Sequence, residues 1–204
     1  MRIHDEINML YVLAHFLRDK MPWAWNLVDQ LNSVLFSLRY GHKLKKFRFK
    51  TPHKNYQIIP ICNIPTDALV KFFAHQPNEA YKFFRPHGFD PKSIQRLKEN
   101  KAFLAYVLIE ESSGHIVGYF FNRSFFHGKG FRGRMVDINY RGRGIGTMMN
   151  CLLNEVGFSI GLRLFETVNK NNEASYKSAI SASKVKVIDK MANGDLYLEI
   201  LKDW

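Results

Sequence analysis

The chain has 204 residues, enough for one domain or one domain with an appendage. A chain of this length buries roughly 70% of its unfolded surface, so it needs no disulfide or metal staple. A 46% hydrophobic and 14% aromatic content, with only 13 Gly and 7 Pro, excludes a disordered, collagenous or low-complexity protein. Thirty basic against 18 acidic residues give +12, a charge that calls for an anionic partner: a phosphorylated cofactor, an acidic substrate, nucleic acid or a membrane face.

Cys62 and Cys151 lie far apart and form no C-x-x-C pattern, so they read as two free thiols. No H-E-x-x-H or other metal spacing is present, and no metal site is expected. Asp5 and Glu6 stand where a signal peptide carries its basic region, and no window reaches ~18 uncharged apolar residues. The expected location is the cytoplasm.

Residues 1–48 read as a basic, helical N-terminal segment and residues 49–204 as the main domain. Ile7, Leu10, Tyr11, Ala14 and Leu17 follow a helical stripe. Asp19 to Pro22 interrupts it, with Pro22 placed to open a second helix. That helix carries the stripe Trp23, Leu27, Leu31, Val34, Leu35 and Leu38, and Gly41 supplies a stop. An acid-free run follows from Lys43 to Lys54, with Phe47, Phe49 and Tyr56 interleaved.

Tyr56–Ile61 reads as a strand, Pro65–Phe73 as a short helix, and Pro91–Asn100 as a helix capped by Asp90. Ala102–Glu110 and His115–Phe126 read as strands around the turn Glu111–Gly114. A strand is expected over Phe131–Asn139, a helix over Gly144–Ile160 and a strand over Leu162–Val168. A helix over Asn172–Ser183 and a hairpin, Val185–Met191 with Leu196–Lys202 around Asn193-Gly194, complete the chain. This order predicts an α/β architecture: a central mixed sheet flanked by helices, with the added N-terminal helical segment.

The most informative stretch runs from the strand Val136-Asp137-Ile138 through Arg141, Gly142, Arg143, Gly144, Ile145, Gly146 and Thr147 into a helix. Three glycines leave backbone N–H groups uncovered, the helix N-terminus adds partial positive charge, and two arginines can add charge-assisted bonds. The stretch reads as a phosphate cradle. It is not a P-loop, because Thr147-Met148 stands where Lys-Ser/Thr is needed, and Met149 breaks the dinucleotide fingerprint.

The pattern R-x-x-G-x-G, Arg141 to Gly146 after a mid-chain strand, resembles the acetyl-CoA pyrophosphate loop of the GNAT superfamily of N-acetyltransferases. Asn172 to Ser175, N-x-x-S at a helix start, resembles that family's second signature. With the element order from residue 55, the resemblance covers about three quarters of the chain. It implies acetyl-CoA as acyl donor and a small-molecule amine as acceptor. It also implies that backbone from Val136 to Ile138 holds the pantetheine arm and serves the oxyanion. A carboxylate on that strand often acts as base in the family, which points to Asp137. His87, in the loop Phe83-Phe84-Arg85-Pro86-His87-Gly88-Phe89, is the other candidate base, since histidine titrates near neutrality. That loop bears a likeness to loops in GNAT-like proteins of surface-sugar synthesis, which suggests a nucleotide-linked amino sugar as acceptor. The family's acidic tyrosine, about seven residues after the signature Asn, falls on Ser178 or Ala179. Tyr176 is the nearby phenol, and the acid lies between it and water.

Two further readings come from the charge and the N-terminal segment. The basic-aromatic run Lys43–Tyr56 suits nucleic acid, although no recognition motif accompanies it. The N-terminal helices, with Trp23, Trp25 and Phe36, suit a membrane surface, a partner or a homodimer.

Overall fold

A computed structural model describes residues 22–202. The expected first helix, over residues 7–17, lies outside the described residues. The chain opens with α1 (Pro22–Lys46), then β1 (Tyr56–Pro60), α2 (Thr66–Ala74), α3 (Pro91–Glu99), β2 (Phe103–Glu110), β3 (Ile116–Ser124) and β4 (Lys129–Val136). After these come α4 (Ile145–Ile160), β5 (Arg163–Val168), α5 (Glu173–Ala182), β6 (Val185–Lys190) and β7 (Leu196–Ile200). The seven strands form one sheet in the order β1-β2-β3-β4-β5-β7-β6. The pair β4–β5 is parallel and every other pair antiparallel.

Strand alternation sorts the core into two layers. Phe103, Ala105 and Val107 of β2, with Tyr119, Phe121 and Met135, face α2 and α3 and meet Leu69, Phe72, Phe73 and Ile94. Leu108, Val117 and Phe120 face the other way and meet Ile145, Met149, Leu152 and Leu153 of α4. Gly157 lets α4 approach β5 closely: a Cβ there would stand 2.6 Å from a methyl of Leu164. Asp90 caps α3 as expected, its carboxylate accepting the Ser93 N–H at 3.0 Å ahead of Pro91.

Two expectations change. Gly41 does not stop α1, which continues to Lys46. Tyr40 is buried and Leu44 packs beside α4, while the Lys43 ammonium donates to the Ile160 carbonyl at 3.3 Å. These contacts outweigh the roughly 1 kcal/mol that glycine costs inside a helix. The strand expected over Phe131–Asn139 ends at Val136. Asp137 turns the chain by accepting the Asn139 N–H at 2.9 Å, which opens the short 3₁₀ turn Ile138–Tyr140.

The outward direction of α1 also differs from the reading of its sequence. Its buried face is Asn32, Phe36 and Tyr40, set against Ala102, Leu104, Val156 and Ile160. Asn32 ties it to the β3–β4 turn: its amide donates to the Ser124 carbonyl at 3.0 Å and its oxygen accepts the Phe126 N–H at 2.9 Å. The expected stripe, Leu27, Leu31, Val34 and Leu38, points to solvent. In the basic run Lys43–Lys54 and at Tyr56 the aromatic residues are taken up by packing, while the lysines stay exposed. Phe49 meets Tyr106 edge-on at 5.2 Å, and Glu155 of α4 accepts the N–H groups of Lys50 and Thr51 at 2.5 and 2.8 Å.

Since Phe36 is fully buried between α1 and α4, Phe36→Ala should lower stability by about 3–5 kcal/mol, read from the urea unfolding midpoint.

Candidate active site

β4 and β5 pair over three positions only: Lys129 with Arg163, Gly130 with Leu164 and Phe131 with Phe165. Beyond Phe131, β4 stays with β3 through Val136 and β5 stays with β7 through Val168, so the two central strands part. The gap opens into a cleft of about 1010 Å³. One wall carries Arg132 to Val136, the other Glu166 to Asn169, and the glycine loop closes one end.

A buried ionic network holds the fork. Glu166 accepts from Arg132 at 2.5 Å and from Arg134 at 2.7 Å. Arg134 also donates to the Ser175 carbonyl and hydroxyl at 2.9 and 3.1 Å, which ties β4 to the first turn of α5. Burial alone would raise the Glu166 pKa, but the Arg134 and Arg132 guanidiniums outweigh it and hold the carboxyl below its ordinary value. Burial lowers the Arg132 pKa against the pull of Glu166. Arg134 stands three residues from Asp137, yet its carboxylate partner is Glu166.

The loop has the geometry of an anion cradle. Gly142 and Gly144 adopt left-handed φ values of 77° and 76°, and a Cβ built on either meets nothing within 4 Å. Gly144 is the N-cap of α4, and no side chain caps that helix or places an acid in its first turn. The first N–H groups of α4 therefore keep their hydrogen-bonding capacity for a ligand. Arg141, Gly142, Gly144, Gly146 and Thr147 line the cleft. Ile145 reaches it as well, but its side chain is buried in the core beside Met149. Arg143 turns aside, with its guanidinium 4.8 Å from the Tyr140 ring centroid and donating to the Asn139 carbonyl.

Asn172 and Ser175 line the cleft from its α5 side. Asn172 caps α5 by accepting the Ser175 N–H at 3.1 Å. Ser175 joins the Arg134–Glu166 network. Ser178 stands at the cleft where α4 and α5 meet; its hydroxyl accepts from the buried Asn150 amide at 3.2 Å.

The three expected proton-transfer residues lie outside the cleft lining. Asp137 accepts from the Gln76 side-chain amide at 2.7 Å, and the Gln76 oxygen accepts the Ile138 N–H at 3.2 Å. The Asp137 N–H donates to the Val117 carbonyl. The amides of Asp137 and Ile138 are thus engaged, and of the expected pantetheine stretch only Val136 faces the cleft. Gln76 gave no sign in the sequence of this clamping role. His87 sits among Phe73, Phe89, Phe103 and Tyr119, with its Nε2 on the Tyr119 hydroxyl at 2.9 Å and Nδ1 against the Gly88 carbonyl. Burial pushes its pKa down to about 4, so the ring is neutral at pH 7. Tyr176 is half-buried on α5. The loop flagged around His87 does reach the cleft through Phe83, Phe84, Arg85 and Pro86, opposite Phe103 and Phe121.

Glu166→Gln should strand two buried guanidiniums and cost about 3–5 kcal/mol at pH 7 by denaturant unfolding. Because the folded carboxyl is held below 4.5, its stabilisation is complete above that value and fades as the pH falls beneath it. The gap between wild type and variant should therefore shrink in acid.

No protein-family model matches the sequence, and no curated protein matches it closely enough to count as a relative. Solved structures do match. The GNAT domain of S. lividans PAT aligns over 71% of this chain and 89% of its own, at 16% identity and a TM-score of 0.60. Ribosomal-protein-S5-alanine acetyltransferase from Vibrio fischeri aligns over 78% and 97%, at 20% identity and 0.58. The acetyltransferase-like protein yncA from Salmonella typhimurium, solved with acetyl-CoA, aligns over 73% and 94%, at 19% identity and 0.54. At these identities the likeness is one of fold: the chain has the GNAT fold.

Proposed function

We propose that this protein transfers the acetyl group of acetyl-CoA to the amine of a small molecule. The observation that carries the reading is the cradle at the fork: an uncapped helix N-terminus and two open left-handed glycines at one end of the cleft between β4 and β5. The pyrophosphate of CoA is the anion that suits it, held by the first N–H groups of α4 and by Arg141. Pantetheine carries two amides, which suit the edge of β4 that β5 leaves beyond Phe131. The GNAT fold supports the same assignment.

In the reaction the amine nitrogen bonds to the thioester carbonyl carbon, the C–S bond breaks, and the amine proton leaves while the thiolate gains one. Asp137, His87 and Tyr176 lie outside the cleft lining, so in this reading the amine binds neutral and proton exchange runs through water. Positioning then supplies most of the acceleration.

At the acceptor end the lining is aromatic and cationic: Phe83, Phe84 and Phe121 with Lys82 and Arg85, and Glu79 as the acid beside them. These features support an acceptor that couples a ring to an anionic group, and a nucleotide-linked amino sugar meets both demands. The test is thiol release from acetyl-CoA across a panel of amines that includes UDP- and dTDP-amino sugars. Turnover confined to uncharged or cationic amines would remove the sugar-nucleotide assignment and leave acetyl transfer standing.

Gly144→Val should abolish CoA binding by calorimetry while the circular dichroism spectrum keeps its folded form, because valine is strained at that φ. Unchanged CoA affinity would remove the loop from the donor site. A true general base contributes 10²-fold or more, so Asp137→Asn should lose roughly less than that in kcat. The His87 ring, followed by NMR, should show no titration midpoint near 6.5.

A further inference from the structure

Gln76 follows the end of α2 and is only 6% exposed. Its side-chain amide makes three bonds. Nε2 donates to the Asp137 carboxylate at 2.7 Å and to the Phe72 carbonyl at 3.3 Å, while Oε1 accepts the Ile138 N–H at 3.2 Å. Two acceptors on one side and a donor on the other admit one orientation of the amide. The other oxygen of Asp137 accepts the Asn139 N–H at 2.9 Å, so the carboxylate is shared between Gln76 and the 3₁₀ turn.

That turn leads straight into the cradle. The Tyr140 N–H donates to the Asp137 carbonyl at 3.0 Å, and the Tyr140 hydroxyl donates to Glu110 of β2 at 2.9 Å. Arg143 lies against the Tyr140 ring and donates to the Asn139 carbonyl at 3.2 Å. Gly144 follows as the N-cap of α4. Residues 141–144 are themselves exposed, and a Cβ at Gly142 or Gly144 would meet nothing within 4 Å. Packing does not shape the cradle on that side, so its form rests on its two ends: α4 after it and the clamped turn before it.

Gln76 does not line the cleft. Nor does α2 need it as an attachment, because Leu69, Phe72 and Phe73 already bury that helix against the sheet. We infer that Gln76 is a positioning residue for the donor site: it holds Asp137 and Ile138 so that the backbone from Arg141 to Gly144 is preset for an anion. The inference rests on the proposed CoA site, and it assigns the Gln76–Asp137 pair to donor affinity rather than to the chemical step. A loop preset before binding spends less of the binding free energy on its own ordering.

The experiment is calorimetric titration of the full chain and its variants with CoA, alongside urea unfolding and the kcat and KM for acetyl-CoA with an amine that is turned over. Gln76→Ala should weaken CoA binding roughly tenfold and raise the KM for acetyl-CoA to match. Its kcat should change by less than about twofold. Gln76→Glu sets two carboxylates face to face and should weaken binding at least as much. Asp137→Asn turns a donor toward either the Gln76 amide or the Asn139 N–H, so it should lose affinity too. Combining Gln76→Glu with Asp137→Asn exchanges the roles: the new amide gives its N–H to the new carboxylate, and the Ile138 and Asn139 N–H groups keep their acceptors. Only the bond to the Phe72 carbonyl is not restored, so the pair should bind CoA within about threefold of wild type. A lower unfolding midpoint with unchanged CoA affinity in the folded variants would reduce Gln76 to a structural residue and overturn the inference. A pair that binds no better than the single variants would overturn it as well, and so would a fall in kcat with KM unmoved. If Gln76→Ala does not fold, the isosteric Gln76→Glu, alone and in the pair, carries the comparison. A wild-type chain that binds no CoA would overturn the proposed donor site and this inference together, whereas wild-type binding with unaffected variants overturns this inference alone.

Discussion

The parting of β4 and β5 after three paired residues is the constraint on which the cleft depends. Two parallel strands in one sheet normally continue side by side, since each unpaired backbone group that is buried costs free energy. Here Arg132, Arg134 and Glu166 occupy the divergence. A carboxylate buried to 4% exposure would be costly alone; between two guanidiniums it becomes a fixed brace. Arg134 extends the brace to Ser175, so the start of α5 is set by the same charges that set the width of the fork. Ionic pairs of this kind contribute less to stability than to geometry. A hydrophobic filling could pack as well, but it would not hold β4, β5 and α5 at three defined points.

Charge at the fork has a second consequence. The network holds two arginines and one glutamate, so the floor of the cleft carries an excess positive charge under a surface that is itself basic. The glycine loop adds helix-terminus N–H groups to the same field. Fixed donors in a partly enclosed cleft act on an anion more strongly than solvated lysines do, because water screens them less. Much of the chain's +12 lies on exposed surface, whereas the cleft is lined by this smaller set of oriented groups.

The aromatic residues divide along the same line. Phe47 and Phe49, which the sequence places among cations as if for base stacking, are spent on the α1 and α4 core. His87 is enclosed by rings and bonded to Tyr119, so its part is to hold the loop against the sheet. Among the rings that do reach the cleft, Phe83 and Phe84 belong to that anchored loop and face Phe103 and Phe121 of the sheet. A half-buried, neutral histidine thus anchors the loop that carries Phe83 and Phe84, four and three residues before it.

The sequence by itself determined most element positions, the cradle and the two signatures, because periodicity, capping and glycine conformation act within a few residues. Asp90 before Pro91, Gly144 before α4 and Asn172 before α5 are all local devices, and each stands where the residues indicate. Tertiary structure decided what depends on distant partners. Gln76, 61 residues away, claims Asp137 and ends its candidacy as a free strand carboxylate. Glu166, not Asp137, answers Arg134. Gly41 stays helical because Tyr40, Lys43 and Leu44 are held by α4. The apolar stripe of α1 faces outward because Asn32 and Phe36 found their partners on the sheet and α4 first. Periodicity reports that a helix has two faces; which face turns inward is set by the shape and hydrogen-bonding needs of the surface it meets.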